Sequence, residues 1–169
     1  EGALVLLDGL TGLTMLSAHR EGYTANATLK EFLRWASNYG LPDYLMSDNG
    51  SHFVNALLAR AAEVLHVKHE TSPALLAWVN GRVERLMRSL VKLMRVTLSE
   101  RGMKENKWPQ ILPFVQYVLN TTPRPRLGNR SPVEIVTGRK PRDPGSFLAL
   151  RAVAGDTKAA RARSRRDPD

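Results

Sequence analysis

Three acidic residues stand where a metal-dependent enzyme could use them. Asp8 ends the apolar run Ala3–Leu7, Asp48 ends the shorter run Tyr44–Ser47, and Glu84 follows Asp48 by 84 − 48 = 36 positions. Carboxylates held close together repel one another, so divalent cations stabilise such a cluster, and oxygen ligands suit Mg²⁺ or Mn²⁺. If the three acids converge, two metal ions about 4 Å apart would serve an in-line phosphoryl transfer.

Each aspartate also has a simpler interpretation. An aspartate after a strand is more often a turn or cap residue, because its side chain bonds to nearby backbone. Only the joint pattern of three acids on separate elements favours catalysis. Glu84 is expected in the first turn of a long helix, where the helix dipole would favour its charge.

The charge balance indicates a polyanionic partner. Lysine and arginine number 25 against 16 acidic residues, which gives a net charge of +9. Such a balance favours phosphate contacts and counterion release, as in nucleic-acid binding. Arg88, Lys92 and Arg95 are predicted on the same helical face as Glu84. The alternative is a basic surface that serves only solubility.

The elements that must position these side chains are predicted from periodicity and turn signals. Alternation of strands with helices indicates an α/β layer fold. The first two strands are expected to form a hairpin. The predicted strands are Ala3–Leu7, Leu13–Ala18, Tyr44–Ser47 and Val67–His69; the helices are Thr24–Tyr39, Phe53–Leu65, Asn80–Arg101 and Trp108–Val118; and Thr71–Val79 is a loop.

Composition limits the remaining possibilities. We expect one core over residues 1–142 and a basic, disordered tail over residues 143–169, and the start at Glu1 suggests a piece of a longer polyprotein. The sequence has 0 cysteines, which excludes disulfides and cysteine-based zinc sites. No apolar stretch approaches the roughly 20 residues that cross a bilayer, so no membrane partner is expected.

The motifs around the acids resemble those of a known family. Ser47-Asp48-Asn49-Gly50-Ser51-His52-Phe53 and Asn80-Gly81-Arg82-Val83-Glu84-Arg85 look like the integrase signature of two aspartates and a glutamate. The likeness covers about residues 3–141 and is greatest to integrases of Gypsy-type long-terminal-repeat retrotransposons, which are similar to retroviral integrases. Further matching pieces are Val5-Leu6-Leu7-Asp8-Gly9-Leu10-Thr11, Trp108-Pro109, Asn120-Thr121-Thr122-Pro123 and Ser131-Pro132-Val133-Glu134-Ile135-Val136-Thr137-Gly138.

The resemblance implies a ribonuclease H-like fold, with a central mixed sheet flanked by helices. It transfers the roles of catalytic residue and metal ligand to Asp8, Asp48 and Glu84, with two Mg²⁺ or Mn²⁺ ions. It implies 3′-end processing of element DNA and strand transfer into target DNA, a homodimer or higher oligomer, and nuclear action. The expected DNA contacts are Asn80, Gly81, Arg85, Arg88, Lys92 and Arg95.

Some features leave alternatives open. Asn80 could equally cap the helix that begins there. The family usually has a proline a few residues before Asn80-Gly81, where this chain has Ala77. A decayed or host-adopted core that binds DNA and dimerises without turnover is one competing function. A ribonuclease H-type nuclease acting on RNA/DNA hybrids is another.

Overall fold

The computed structural model describes residues 2–19, 24–47, 52–70 and 73–142. Strands and helices alternate as the sequence predicts, and most boundaries lie within two residues of the expected ones. The exceptions are the start of the third long helix and the end of the fourth. In chain order the elements are β1 (Gly2–Leu7), β2 (Thr14–His19), α1 (Ala25–Tyr39), β3 (Tyr44–Met46), α2 (His52–Val64), β4 (Lys68–Glu70), α3 (Pro73–Glu100), α4 (Trp108–Thr121) and α5 (Pro132–Thr137).

Helix α3 begins at Pro73, so the predicted loop over Thr71–Val79 is wrong from Pro73 onward. Proline is well suited to the first position of a helix, and the alanines and leucines that follow it are strong helix formers. A proline inside the helix would remove a hydrogen bond and break the helix. Ala77 has no such effect, so the helix runs through the segment that the sequence analysis predicts as a loop.

The strands form two pairs. Strand β1 pairs antiparallel with β2, from Gly2 opposite His19 to Leu7 opposite Thr14, which confirms the predicted hairpin. Strand β3 pairs in parallel with β4. The antiparallel and parallel pairings of a mixed sheet are therefore both present. Within the described ranges, the strands form two separate two-stranded sheets.

Two compact units divide the chain, one of residues 1–116 and one that begins at Tyr117. In the first unit α1 packs on α2, and α2 packs on β4. Its buried side chains include Leu16, Phe32, Leu58, Ala62, Leu86, Leu90, Leu98, Ile111 and Val115. The predicted basic tail over residues 143–169 lies outside the described residues.

Helix α3 buries one apolar stripe. Leu86, Leu90 and Leu98 are buried, whereas Met87, one position after Leu86, is 36% exposed. One step along a helix turns the side chain by about 100°, so Met87 lies at the margin of the buried stripe.

The second unit contains the short helix α5, which the sequence analysis did not predict. Ser131 is fully buried and accepts a hydrogen bond from the Glu134 backbone N–H, while Glu134 accepts one from the backbone of Ser131. Pro132 occupies the first helical position and Gly138 ends the helix with φ +68°. The signal was the serine followed three residues later by glutamate, which is a capping box.

Candidate nucleic-acid interface and metal site

Asp8 lies directly after β1, at the start of the hairpin turn. Its Oδ2 atom accepts hydrogen bonds from both the backbone N–H, at 2.7 Å, and the hydroxyl of Thr11. The backbone of Asp8 pairs with Leu13 and Gly12, and Gly12 has φ +73°. Asp8 therefore stabilises this turn through one carboxylate oxygen, as the simpler interpretation of the residue predicts. Thr11, which the sequence analysis did not single out, is buried at the centre of the turn.

Asp48 lies outside the described residues, but the elements on either side of it are described. Strand β3 ends at Met46, and helix α2 begins at His52. These two flanking elements are the ones that the sequence predicts, and the role of Asp48 itself stays a prediction. Just before it, the Ser47 Oγ lies 2.9 Å from the His69 Nε2 of β4. Burial lowers the pKa of His69 from its usual 6.5, so the imidazole is neutral at pH 7.

Glu84 lies on an exposed part of α3. The helix starts at Pro73, so Glu84 is 84 − 73 = 11 positions from its first residue and about three turns from its N-terminus. The expectation that the helix dipole would favour its charge is wrong, because that effect is confined to the first turn. Glu84 is instead followed on its own face of the helix by three cationic residues, which are described next.

Arg88, Lys92 and Arg95 are all exposed on α3, and Arg85 next to Glu84 is exposed too. Each residue turns the helix by about 100°, so Arg88, Lys92 and Arg95 lie within about 80° of Glu84 around the helix axis. This row is the charged face that the periodicity predicts. An open groove of about 580 Å³ runs beside it, lined by Met87, Arg88, Val91, Lys92, Arg95 and Val96.

The alternative interpretation of Asn80 as a helix cap is wrong, because Asn80 lies inside α3, and its DNA contact stays a prediction. Its side chain is outside the described residues. A Cβ atom built on Gly81 would meet no atom within 4 Å, so close packing inside the described chain does not require glycine here. Approach of a ligand to the backbone therefore remains the predicted reason for the glycine.

The chemistry of the donor set suits a hard divalent cation, because all three candidate ligands are carboxylates. Glu84 is exposed, and the Oδ2 atom of Asp8 already accepts two hydrogen bonds. Among the described residues, which do not include Asp48, no three His, Cys, Asp or Glu side chains form a group that could hold a metal ion. The convergence of the three acids stays a prediction.

No described helix is both long and apolar enough to span a bilayer.

Comparison with known proteins gives sequence relatives among viral polyproteins. The chain is 32% identical over 119 residues to the Gag-Pol polyprotein of feline leukemia virus, an alignment that covers 70% of this chain and 7% of the relative. It is 31% identical over 140 residues to the Gag-Pol polyprotein of avian reticuloendotheliosis virus, covering 82% and 12%. This chain therefore spans only a small part of these relatives. No protein-family model matches it.

Comparison with solved structures gives integrase cores. The catalytic core domain of HTLV-2 integrase, solved as a dimer with magnesium, matches with a TM-score of 0.60 at 20% identity, covering 79% of this chain and 81% of that one. The simian T-cell lymphotropic virus intasome, in complex with the PP2A regulatory subunit B56 gamma, matches with a TM-score of 0.65 at 17% identity, covering 83% and 50%.

These matches define the class of the protein. The chain has the ribonuclease H-like fold of integrase catalytic cores, which confirms the predicted fold class. It is 32% and 31% identical to two retroviral Gag-Pol polyproteins over 70% and 82% of its length, so the chain belongs to the Pol polyprotein family of retroelements.

Proposed function

We propose that this chain is the catalytic core of a retroelement integrase that processes the 3′ ends of element DNA and joins them to target DNA. The observation that carries the proposal is the face of α3, where the exposed Glu84 is followed by Arg88, Lys92 and Arg95. A carboxylate beside a row of cations fits an enzyme that tracks a phosphate backbone and acts on it. The partners are element ends, target DNA and further copies of this chain, and the reaction takes place in the nucleus.

The proposed reaction is two successive phosphoryl transfers. Water attacks a phosphodiester near the 3′ end, which breaks the P–O3′ bond and frees a 3′ hydroxyl. That hydroxyl then attacks a phosphodiester of target DNA, and the 3′ oxygen of the cut target strand leaves as a new 3′ hydroxyl. Two Mg²⁺ or Mn²⁺ ions, held by Asp8, Asp48 and Glu84, would activate the attacking oxygen and stabilise the leaving oxygen. The chain's own part is to position the DNA through its cations and to bring the carboxylates to the reacting phosphate.

The test is a Mg²⁺-dependent strand-transfer and disintegration assay on labelled oligonucleotides, with the integrase from the full polyprotein. Asp48→Asn and Glu84→Gln should abolish product while DNA binding persists. Glu100→Gln is the matched control, because Glu100 is an exposed glutamate at the end of the same helix and should retain activity. If the wild type binds DNA but is as inert as the variants, the chain is a binding scaffold and the proposal fails.

Asp8 needs a separate arm of this assay, because its carboxylate already has a structural role. Asp8→Asn keeps an oxygen that can accept the bonds from Thr11, so the turn survives while the charge is lost. Loss of activity in a folded Asp8→Asn variant supports the three-acid site. Full activity would make Asp8 a turn residue only, and the third carboxylate would have to come from elsewhere in the polyprotein.

The same assay separates the integrase from a ribonuclease H-type nuclease. An RNA/DNA hybrid offered beside the element-end duplex should remain intact, since the proposed reaction needs a DNA 3′ end. Cleavage of the hybrid without any DNA joining would favour the nuclease.

A further inference from the structure

The backbone pairing of β3 with β4 is weaker at the end that leads to Asp48. At the opposite end, the Lys68 N–H donates to the Asp43 carbonyl at 3.0 Å. At the end near Asp48, the Ser47 N–H lies 3.4 Å from the Glu70 carbonyl, which is longer than the roughly 2.7–3.2 Å of a well-formed bond. The backbone bond therefore fixes Ser47, the residue directly before Asp48, only weakly.

A side-chain hydrogen bond joins the two strands at this same place. His69 of β4 lies opposite Leu45 of β3 in the parallel register. Side chains two positions apart on a strand point to the same face, so Ser47 lies diagonally across from His69 on that face. The Ser47 Oγ atom is 2.9 Å from the His69 Nε2 atom, a normal length for a hydrogen bond. The side chain of His69 thus fixes Ser47 where the backbone bond is long.

The chemistry of the two side chains suits this role. Burial lowers the pKa of the His69 imidazole, so at pH 7 the ring is neutral and has one nitrogen that donates and one that accepts. A serine hydroxyl can also donate or accept, so the pair forms a bond in either tautomer of the ring. Both side chains are half-buried, and partial exclusion of water strengthens a hydrogen bond.

We propose that His69 is a positioning residue for the metal site, because its bond to the Ser47 hydroxyl fixes the point at which the chain enters Asp48. This inference rests on the proposed function, in which Asp48 is a metal ligand. Partners that orient metal ligands usually cost about 10–100-fold in metal affinity or activity when they are lost. His69 acts on Asp48 through an intervening residue, so the effect belongs at the lower end of that range.

Mn²⁺ binding measures this positioning independently of catalysis. In the integrase from the full polyprotein, Ser47→Ala should weaken Mn²⁺ binding by about tenfold, whereas Ser47→Thr keeps a hydroxyl and should bind as tightly as the wild type. Ser17→Ala is the matched control, because the Ser17 Oγ lies 3.1 Å from the His19 Nε2 within β2, in the other pair of strands. Unchanged affinity in Ser47→Ala, or an equal loss in Ser17→Ala, overturns the proposal.

A double-mutant cycle assigns the effect to the pair. His69→Phe keeps a ring but removes the nitrogen that bonds to Ser47. Ser47→Ala and His69→Phe should each weaken Mn²⁺ binding, and the double variant should be no weaker than the weaker single one. Additive losses overturn the proposal, because the two residues would then act independently.

Strand-transfer kinetics distinguish this inference from the proposed function. Ser47→Ala should lower kcat by about tenfold and leave the KM for DNA ends unchanged, because the bond acts on Asp48 and not on the cations that bind DNA. A raised KM with unchanged kcat overturns the inference. A wild type that binds Mn²⁺ and DNA without joining DNA overturns the proposed function alone, since the Mn²⁺ titrations of Ser47→Ala and His69→Phe still decide the positioning role.

Discussion

The Asp8 carboxylate and the Thr11 hydroxyl hold the first turn of this protein together. We expect Thr11→Val to lower the free energy of unfolding by about 1 kcal/mol, because it removes a buried hydroxyl that donates to Asp8 and accepts from the Leu13 N–H. Chemical denaturation measures the loss. Thr122→Val is the matched control, because the Thr122 hydroxyl bonds to a backbone carbonyl on an exposed helix end and should matter less. Equal losses in the two variants would contradict a special role for the turn.

His69 gives the fold a predictable dependence on pH. Burial lowers the pKa of His69 below 6.5, so the unfolded chain binds more protons than the folded one as the pH falls through that value. The difference in pKa between the two states makes a contribution to the free energy of unfolding. This contribution is fully present above about pH 6.5 and is lost progressively as the pH falls toward the pKa of His69 in the folded state. Denaturation curves measured between about pH 5 and 8, a range that includes the usual histidine pKa, should show the free energy of unfolding rising with pH.

The control for His69 uses two substitutions. His69→Gln should flatten the pH dependence in this range. His66→Asn should not, because His66 is exposed and asparagine tolerates its φ of 55°. An unchanged pH profile in His69→Gln would show that the pKa of this side chain does not differ between the folded and unfolded states.

Helix α4 protects the edge of the hairpin through Gln116. Gln116→Leu should cost about 1–3 kcal/mol of stability, because the buried Leu16 N–H loses its acceptor. Gln110→Leu on the same helix is the control, because Gln110 is exposed and no partner depends on it in the described contacts. Hydrogen exchange at Leu16 should accelerate in the first variant only. Slow exchange at Leu16 in Gln116→Leu would show that another group accepts this N–H.

The elements also show what sequence patterns could and could not predict. Thr24 and Gly40 bound α1 as expected, because a cap and a glycine are local signals. The start of α3 was missed because the apolar periodicity was followed only from Asn80 onward, whereas the local preference of Ala74-Leu75-Leu76-Ala77 is also helical. Gln116 was missed since its bond to Leu16 joins residues 100 positions apart, and no short-range pattern reveals such a contact.

The molecule as a whole has a net charge of +9, and part of that charge is arranged in a row on α3. If Lys92 contacts a DNA phosphate, Lys92→Ala should lower the slope of log affinity against log salt concentration by about 0.9. Fluorescence anisotropy on a DNA duplex at several salt concentrations measures this slope. Lys30→Ala is the control, because Lys30 is an exposed lysine on a different helix, α1. Equal changes for both lysines would point to a general effect of charge.

The family and fold could be predicted from the sequence, because Asp48 and Glu84 lie in motifs that resemble those of integrases. The geometry of the site could not be predicted from the sequence. Whether acids from a hairpin turn, a strand end and a helix converge depends on packing over the whole domain. Asp8 also stabilises its own turn, and the spacing of the acids along the chain does not distinguish that role from catalysis.

The binding of Mn²⁺ tests the central claim most directly, because it measures metal ligation by Glu84 independently of catalysis. Electron paramagnetic resonance titrations should show that Glu84→Gln and Asp48→Asn each weaken Mn²⁺ binding by at least about tenfold, as loss of support at a metal site does. Glu100→Gln should leave the affinity unchanged. Equal affinity in the wild type, Glu84→Gln and Asp48→Asn would contradict the account.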